Sequence, residues 1–331
     1  MALLHHLPDA TEILYENVFA SGRCRLLLGD LIALADHGRA PTGDVAALID
    51  AVCDDLIATA TSTGRTTALS ACVPALYADR IRPGSRVDTW YLKGDLAVTD
   101  THTGEQIPVR ALTDYTATVN GAPLPLDVPA AIDAARTALH PDSRWASALT
   151  QGDPTEPNIA ASAAGACWLD FEHAGRNILA GEIANLLWYL LALGGWLVPT
   201  YQLDVYTRTL PLHLPPTAIP AVEHTQLSAR HRRLDVHYTW PTGPGRHTAL
   251  VQLLTRLTGD LGDAARLPPD RQLADLRPFL TLRILGVLAP HQLTSTDLLL
   301  VLAKLAQAQH LPHDDQFTHT TPSSLAPEEA S

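Results

Sequence analysis

The spacing of apolar and polar positions divides the chain into helices, a few strands and a polar end. Residues 12–19, EILYENVF, alternate and carry β-branched and aromatic side chains, the mark of a strand. CRLLLGDLIALADHG reads as a strand running into a helix that stops at Gly38. In PTGDVAALIDAVCDDLIATATSTG, Val45, Leu48, Ile49, Val52, Leu56 and Ile57 fall on one helical face. Thr42 or Asp44 caps that helix and Gly64 ends it. The Thr- and Val-rich stretch about 94–122, with turn signals HTG and NG, predicts an inserted β-hairpin or small meander. VPAAIDAARTALHP predicts a short helix. The run Ala184–Val198 predicts a buried helix, because it contains Asn185 and a Gly pair and is too short to span a bilayer. Beyond a Pro-rich connection, AVEHTQLSARHRRLDV, HTALVQLLTRLTGDLGDAA, LADLRPFLTLRILGVLA and STDLLLVLAKLAQAQH read as helices, the last capped by Ser295. Residues 311–331 are polar, with Pro and Ser, and predict a disordered tail. The expected class is α+β, mostly helical, with strands confined to the first half.

Composition changes this picture only modestly. At 331 residues and 46% apolar, the chain can bury a sizeable core as one large domain or two modest ones. A formal charge of −12 argues against nucleic acid or an anionic membrane as partner, and favours cationic ligands or simply solubility. Cys24, Cys53, Cys72 and Cys167 form no C-x-x-C pair, and the fifteen histidines lack zinc-ligand spacing. Small buried thiols in a reducing cytoplasm are the expectation. The start MALLHHLPDATE has no basic region followed by a long apolar core, so no secretory signal is expected.

The candidate chemistry lies in LTQGDPTEPNIAASAAGACWLDFEHAG, Leu149 to Gly175. Two short strands around a Gly turn would bring the loop before them close to the residues after them, so Asp153, Asn158 and Asp170 should meet at one end. Carboxylate and carboxamide oxygens at a cleft suit Mg²⁺, which keeps its waters and takes phosphate oxygens. A further carboxylate can accept a hydroxyl proton, and metal plus base is what phosphoryl transfer requires. Individually, each residue also has a plainer role: Asp153 in a turn, Asn158 at a strand end, Asp170 with Glu172 as a solvated pair.

QGDPTEPN followed by LDFE resembles the catalytic core of the aminoglycoside phosphotransferase and choline kinase group of the kinase-like superfamily. That group's pattern is H-G-D-x-x-x-x-N, then an apolar-D-[WF]-[EG] segment; here Asp153 and Asp170 are seventeen residues apart. An acidic residue opening a helix follows about twelve positions later, and GEIANLLW puts Glu182 there. The resemblance is strong over Leu149–Leu187 and extends loosely from Glu12 to Leu305. It implies Asp153 as catalytic base and Asn158 and Asp170 as Mg²⁺ ligands. It also implies ATP as cofactor, and Gln151 and Glu182 as structural supports. Glu16, Asn17 and Val18 would be a hinge against adenine. His173, Arg80, Arg82 and Arg86 are possible substrate or phosphate contacts.

Three departures accompany the match. Gln151 replaces the pattern's His, His173 follows DFE, and no lysine precedes Lys93. The last implies a kinase-like C-terminal lobe over residues 20–310, with residues 1–19 as the remnant of an N-terminal β lobe. A later start codon than the natural one, a partner protein supplying the lobe, or arginines that hold phosphate would each account for this. The expected activity is ATP-dependent transfer to a hydroxyl of a small molecule or peptide. The alternative is a non-catalytic kinase-like subunit that scaffolds a partner.

Overall fold

The computed structural model describes residues 3–6, 13–15, 17–73, 77–209, 214–313 and 315–322. The class is α+β, with helix outweighing strand. Leu3–His6 pairs with Ile13–Tyr15, the heart of the expected first strand. Strand Cys24–Leu27 leads into helix Leu28–Asp36, and Gly38 turns the chain at φ 67°. Helix Thr42–Thr63 buries Val45, Leu48, Ile49, Val52 and Leu56, the face its periodicity marks. Its N-cap is Pro41, without a side-chain cap from Thr42 or Asp44.

Two antiparallel hairpins occupy the inserted region: Ala97–Thr99 with Gln106–Pro108, and Tyr115–Val119 with Ala122–Leu126. Asn120 and Gly121 turn the second at φ 47° and 88°, the positive angles a two-residue hairpin turn demands. This hairpin belongs to a four-stranded sheet. Tyr115–Val119 pairs in parallel with Arg233–Thr239, which pairs antiparallel with Ala221–Ser228. The predicted helix over AVEHTQLSARHRRLDV is therefore a strand hairpin, and strands are not confined to the first half. Leu234, Val236 and Tyr238 alternate inward, and the cationic run forms the turn, with Arg232 at φ 47°.

Helix Leu179–Trp188 continues through a π-helical stretch, Tyr189–Leu197, into Val198–Tyr201. Among the described residues this 23-residue span is the one helix long and apolar enough to cross a membrane, and 89% of its most apolar window is buried inside the fold. Helices Pro244–Leu257, Arg277–Gly286 and Ser295–Gln309 complete the core. Thr294, one residue before the expected cap, accepts the N–H of Asp297.

The expected disorder over 311–331 is overturned for the described part. Leu311 and Phe317 are buried, Lys304 Nζ donates to the Phe317 carbonyl at 2.9 Å, and Thr321–Pro322 pairs with Pro241–Thr242. Two apolar anchors in a polar segment suffice to dock it.

Candidate functional site

Strand Arg144–Thr150 is the middle of a three-stranded sheet, flanked by Arg65–Ala68 and Gly175–Ile178. The loop 151–158 leaves its C-terminal end and enters hairpin Ile159–Ser162/Gly165–Trp168. The chain then returns so that Gly175 lies opposite Thr150. This path forces residues 169–174 back against residues 151–153. Gly152 lies where a Cβ would stand 2.2 Å from the His173 carbonyl oxygen, at φ 97°. Only glycine fits this crossing.

Gln151 ties the two segments together. Its Nε2 donates to the carbonyls of Leu169, at 2.9 Å, and of Asp170, while its Oε1 accepts from Asp153 N at 2.8 Å. One carboxamide serves both segments because it carries two donors and an acceptor. The hairpin adds a second tie, Leu169 N to Asn158 O at 2.8 Å.

Asn158 Nδ2 donates to the Asp153 carbonyl at 3.0 Å and to its Oδ2 at 3.4 Å. Both contacts use the amide nitrogen, so the oxygen a cation would take has no part in them. Asp170 is exposed and sits at φ 50°, a left-handed turn conformation that Asp tolerates better than most residues. Its Oδ1 accepts from Glu172 N at 3.3 Å. Through these ties the loop brings Gln151, Asp153, Asn158 and the Asp170 backbone into one corner. Among the described residues, no group of three or more His, Cys, Asp or Glu stands ready to hold a metal by itself. A cation here would draw on Asn158, Asp170 and ligand oxygens together.

Beneath the loop, Glu182 is buried. Burial pushes its pKa up to about 8, and the nearby Thr150 hydroxyl, Arg283 cation and Gly152 N–H only partly oppose that. Neither carboxyl oxygen has a hydrogen-bond partner among the described residues, so the carboxyl lies beneath the loop without a bond that ties it there. From the same helix Asn185 donates to Asp153 Oδ1 at 2.8 Å. Arg283 Nη1 lies 3.7 Å from that same oxygen, with its side chain only 5% exposed against 27% for Asp153. Burial lowers the Arg283 pKa. Arg80 comes to the same corner. Burial first, then the nearby Arg283 and Arg86 cations, bring its pKa down to about 10, and Asp153 opposes the shift.

The other sequence candidates go elsewhere. Arg82 is exposed and pairs with Asp79 at 3.6 Å. Arg86 donates to the Gly286 carbonyl at 3.1 Å and covers the Trp90 ring at 5.6 Å. Asn17 caps a turn, its Oδ1 accepting from Phe19 N and Ala20 N. Val18 is buried with Cys24, Ala160 and Cys167, against the hairpin Ile159–Ser162/Gly165–Trp168. His173 contributes its backbone, the carbonyl accepting from Asn177 Nδ2 at 3.0 Å. Glu16 lies outside the described residues. Three residues went unremarked in the sequence, Arg283, Arg246 and Glu156, and Asn185 was read only as a polar break in a buried helix. The available signal was a lone polar residue on an otherwise apolar helical stripe, as in ANLLW and TLRILG.

Neither a protein-family model, nor a curated protein, nor a solved structure matches the chain.

Proposed function

We propose that the chain is a kinase-like catalytic lobe that transfers the γ-phosphoryl group of ATP to a hydroxyl. Asp153 orients the acceptor and takes its proton, while Asn158 and Asp170 hold Mg²⁺ against the nucleotide phosphates. One observation carries this reading: the Gln151 carboxamide links the Asp153 N–H to the carbonyls of Leu169 and Asp170. Base and metal segments are thereby held in fixed relation, as a reaction that depends on positioning requires. The acceptor is a small molecule or peptide, and the cytoplasm, where ATP and free thiols coexist, is its setting. The test is phosphate release or transfer from Mg-ATP by the purified chain. Asp153→Ala should lower turnover by about 10²–10⁴-fold while nucleotide still binds. Asp170→Ala should abolish the magnesium dependence of nucleotide binding. Wild-type levels of both in the variants would sink the proposal.

A second reading is a non-catalytic kinase-like subunit completed by a partner protein. The placement of the chain's two lysines favours it. Lys93 pairs with Asp88 at 2.8 Å, and Lys304 is buried among Tyr238, Trp240 and Phe317. Neither is placed to grip nucleotide phosphates. On this reading Mg-ATP gives no thermal shift and Asp170→Ala changes nothing.

A further inference from the structure

Three donors beside Asp153 are buried and have no hydrogen-bond partner among the described residues: Tyr77 Oη, Arg80 Nη1 and Arg283 Nη2. Such groups ordinarily find partners, because an unmade bond in the interior carries the full desolvation cost. The Tyr77 ring rests on Gly181, one residue before Glu182, and meets Phe279 edge-on at 5.6 Å. Phe279 and Arg283 are one turn apart on helix Arg277–Gly286. The Arg80 stem packs toward Gly286 of that helix. The three donors thus come to one corner from Tyr77, the short helix Ala78–Ile81 and helix Arg277–Gly286.

Their position relative to Asp153 is specific. Asp153 Oδ2 faces Asn158 Nδ2, on the side assigned to the metal. Oδ1 faces Asn185 and Arg283. The donors therefore flank the base on its Oδ1 side, opposite the oxygen assigned to the metal side. The charge count is also uneven: two guanidinium groups stand against Asp153, and burial shifts the neighbouring Glu182 carboxyl, whose oxygens also lack a partner among the described residues, toward its neutral form. An oxyanion would offset this excess, and a guanidinium fork suits phosphate and carboxylate oxygens.

We propose that Tyr77, Arg80 and Arg283 form an oxyanion subsite on the Oδ1 flank of Asp153, and that the acceptor carries a phosphate or carboxylate group seated there. The acceptor assignment rests on the phosphotransferase reading; the subsite does not. It also reverses, locally, the preference for cationic ligands that the overall charge implies.

Inorganic phosphate is the probe, titrated into the full chain at constant ionic strength with chloride as the exchanged anion and binding read by calorimetry and thermal shift. Wild type should give a saturable response. Arg80→Gln should weaken it about tenfold or more, the scale of a lost hydrogen bond to a charged group. Arg80→Lys, which keeps the charge and loses the fork, should fall between them. Tyr77→Phe should weaken binding several-fold while leaving the phosphate-free melting temperature unchanged or higher, which a purely structural tyrosine would not do. An identical phosphate response in wild type and Arg80→Gln, or an equal response to chloride alone, overturns the subsite.

A second titration adds Mg-ATP or Mg-ADP. Phosphate binding alongside saturating Mg-ATP supports the acceptor assignment. Displacement by Mg-ATP but not by Mg-ADP shows the subsite holding the γ-phosphate, and overturns that assignment. Mg-ATP binding with no phosphate response removes the subsite and leaves the phosphotransferase reading. Phosphate binding with no nucleotide binding removes that reading and keeps the subsite.

Discussion

Arg246 and Arg283 both bury a guanidinium against the loop of residues 151–158, yet their surroundings differ sharply. Arg246 meets Glu156 through two nitrogens, at 2.5 and 3.2 Å, and donates to the Leu190 carbonyl at 2.9 Å. Burial alone would pull its pKa down, but Glu156 outweighs that and holds it above the ordinary value. Gly194 gives the pair room, since a Cβ there would stand 2.2 Å from Glu156 Oε1. Arg283 has one ion pair at 3.7 Å, one nitrogen without a partner, and a pKa lowered by burial. A fully paired buried cation fixes structure. A poorly paired one raises the energy of the resting state, and such a cost is characteristic of a group that awaits a ligand.

Breaking the well-paired side should have the largest effect. Glu156→Ala leaves Arg246 charged and unpaired in the core, and should cost about 3–5 kcal/mol in denaturant unfolding. Arg246→Met removes the partner of Glu156 instead and should cost a comparable amount, whereas Arg246→Met combined with Glu156→Leu should recover much of the loss. A Glu156→Ala midpoint equal to wild type would mean that the pair is not the anchor of the loop.

Glu182 provides the next largest effect, through pH. Its folded pKa, about 8, lies above the ordinary carboxyl value of 4.5, so the folded state binds the extra proton between these values. Stability is therefore lost as pH rises through that window, by an amount on the order of 1–5 kcal/mol once pH exceeds 8. Glu182→Gln imitates the protonated form and should flatten the slope. Asp30, raised by burial to about 6, titrates below that in both proteins, so the comparison is read between pH 6 and 8. Parallel wild-type and variant curves there would remove Glu182 as the cause.

Arg283→Met sharpens the contrast with Arg246→Met, because the sign should reverse. An apolar side chain of similar length fills the site without desolvating a charge, and Asp153 keeps Asn185 as donor. In chloride buffer without phosphate the variant should be more stable by about 1 kcal/mol, while losing the phosphate response. A loss as large as that of Arg246→Met would place both arginines in the same structural role.

How much of this the sequence reveals depends on how far apart the partners lie along it. The face of helix Thr42–Thr63 is local and periodic, and was legible, as was the spacing from Asp153 to Asp170 that one hairpin determines. The Asp153–Arg283 and Glu156–Arg246 contacts join residues far apart in the chain, and no local pattern encodes such a pairing. The strands Ala221–Ser228 and Arg233–Thr239 were misread because ARHRR, between them, resembles a solvated helical face. The inward alternation of Leu234, Val236 and Tyr238 was the better signal. Arg80, Arg82 and Arg86 look alike in DRIRPGSR, but only their tertiary neighbours separate them: the Asp153 corner, Asp79, and the carbonyl of Gly286.

The finest distinction concerns Gln151, where residue type and geometry can be separated. Its carboxamide satisfies one N–H and two carbonyls across the loop crossing. Gln151→Ala strands all three and should cost about 1–3 kcal/mol. Gln151→His restores one donor with a ring of fixed reach, so its cost should be within about 1 kcal/mol of wild type. Hydrogen exchange at the Asp153 amide distinguishes the two substitutions directly: faster by an order of magnitude or more in the alanine variant, and little changed with histidine if its ring nitrogen accepts that N–H. Equal acceleration in both would mean that only a carboxamide can hold residues 151–153 and 169–170 together. The glutamine would then be a requirement of this particular loop and not a stand-in for the histidine of the pattern it resembles.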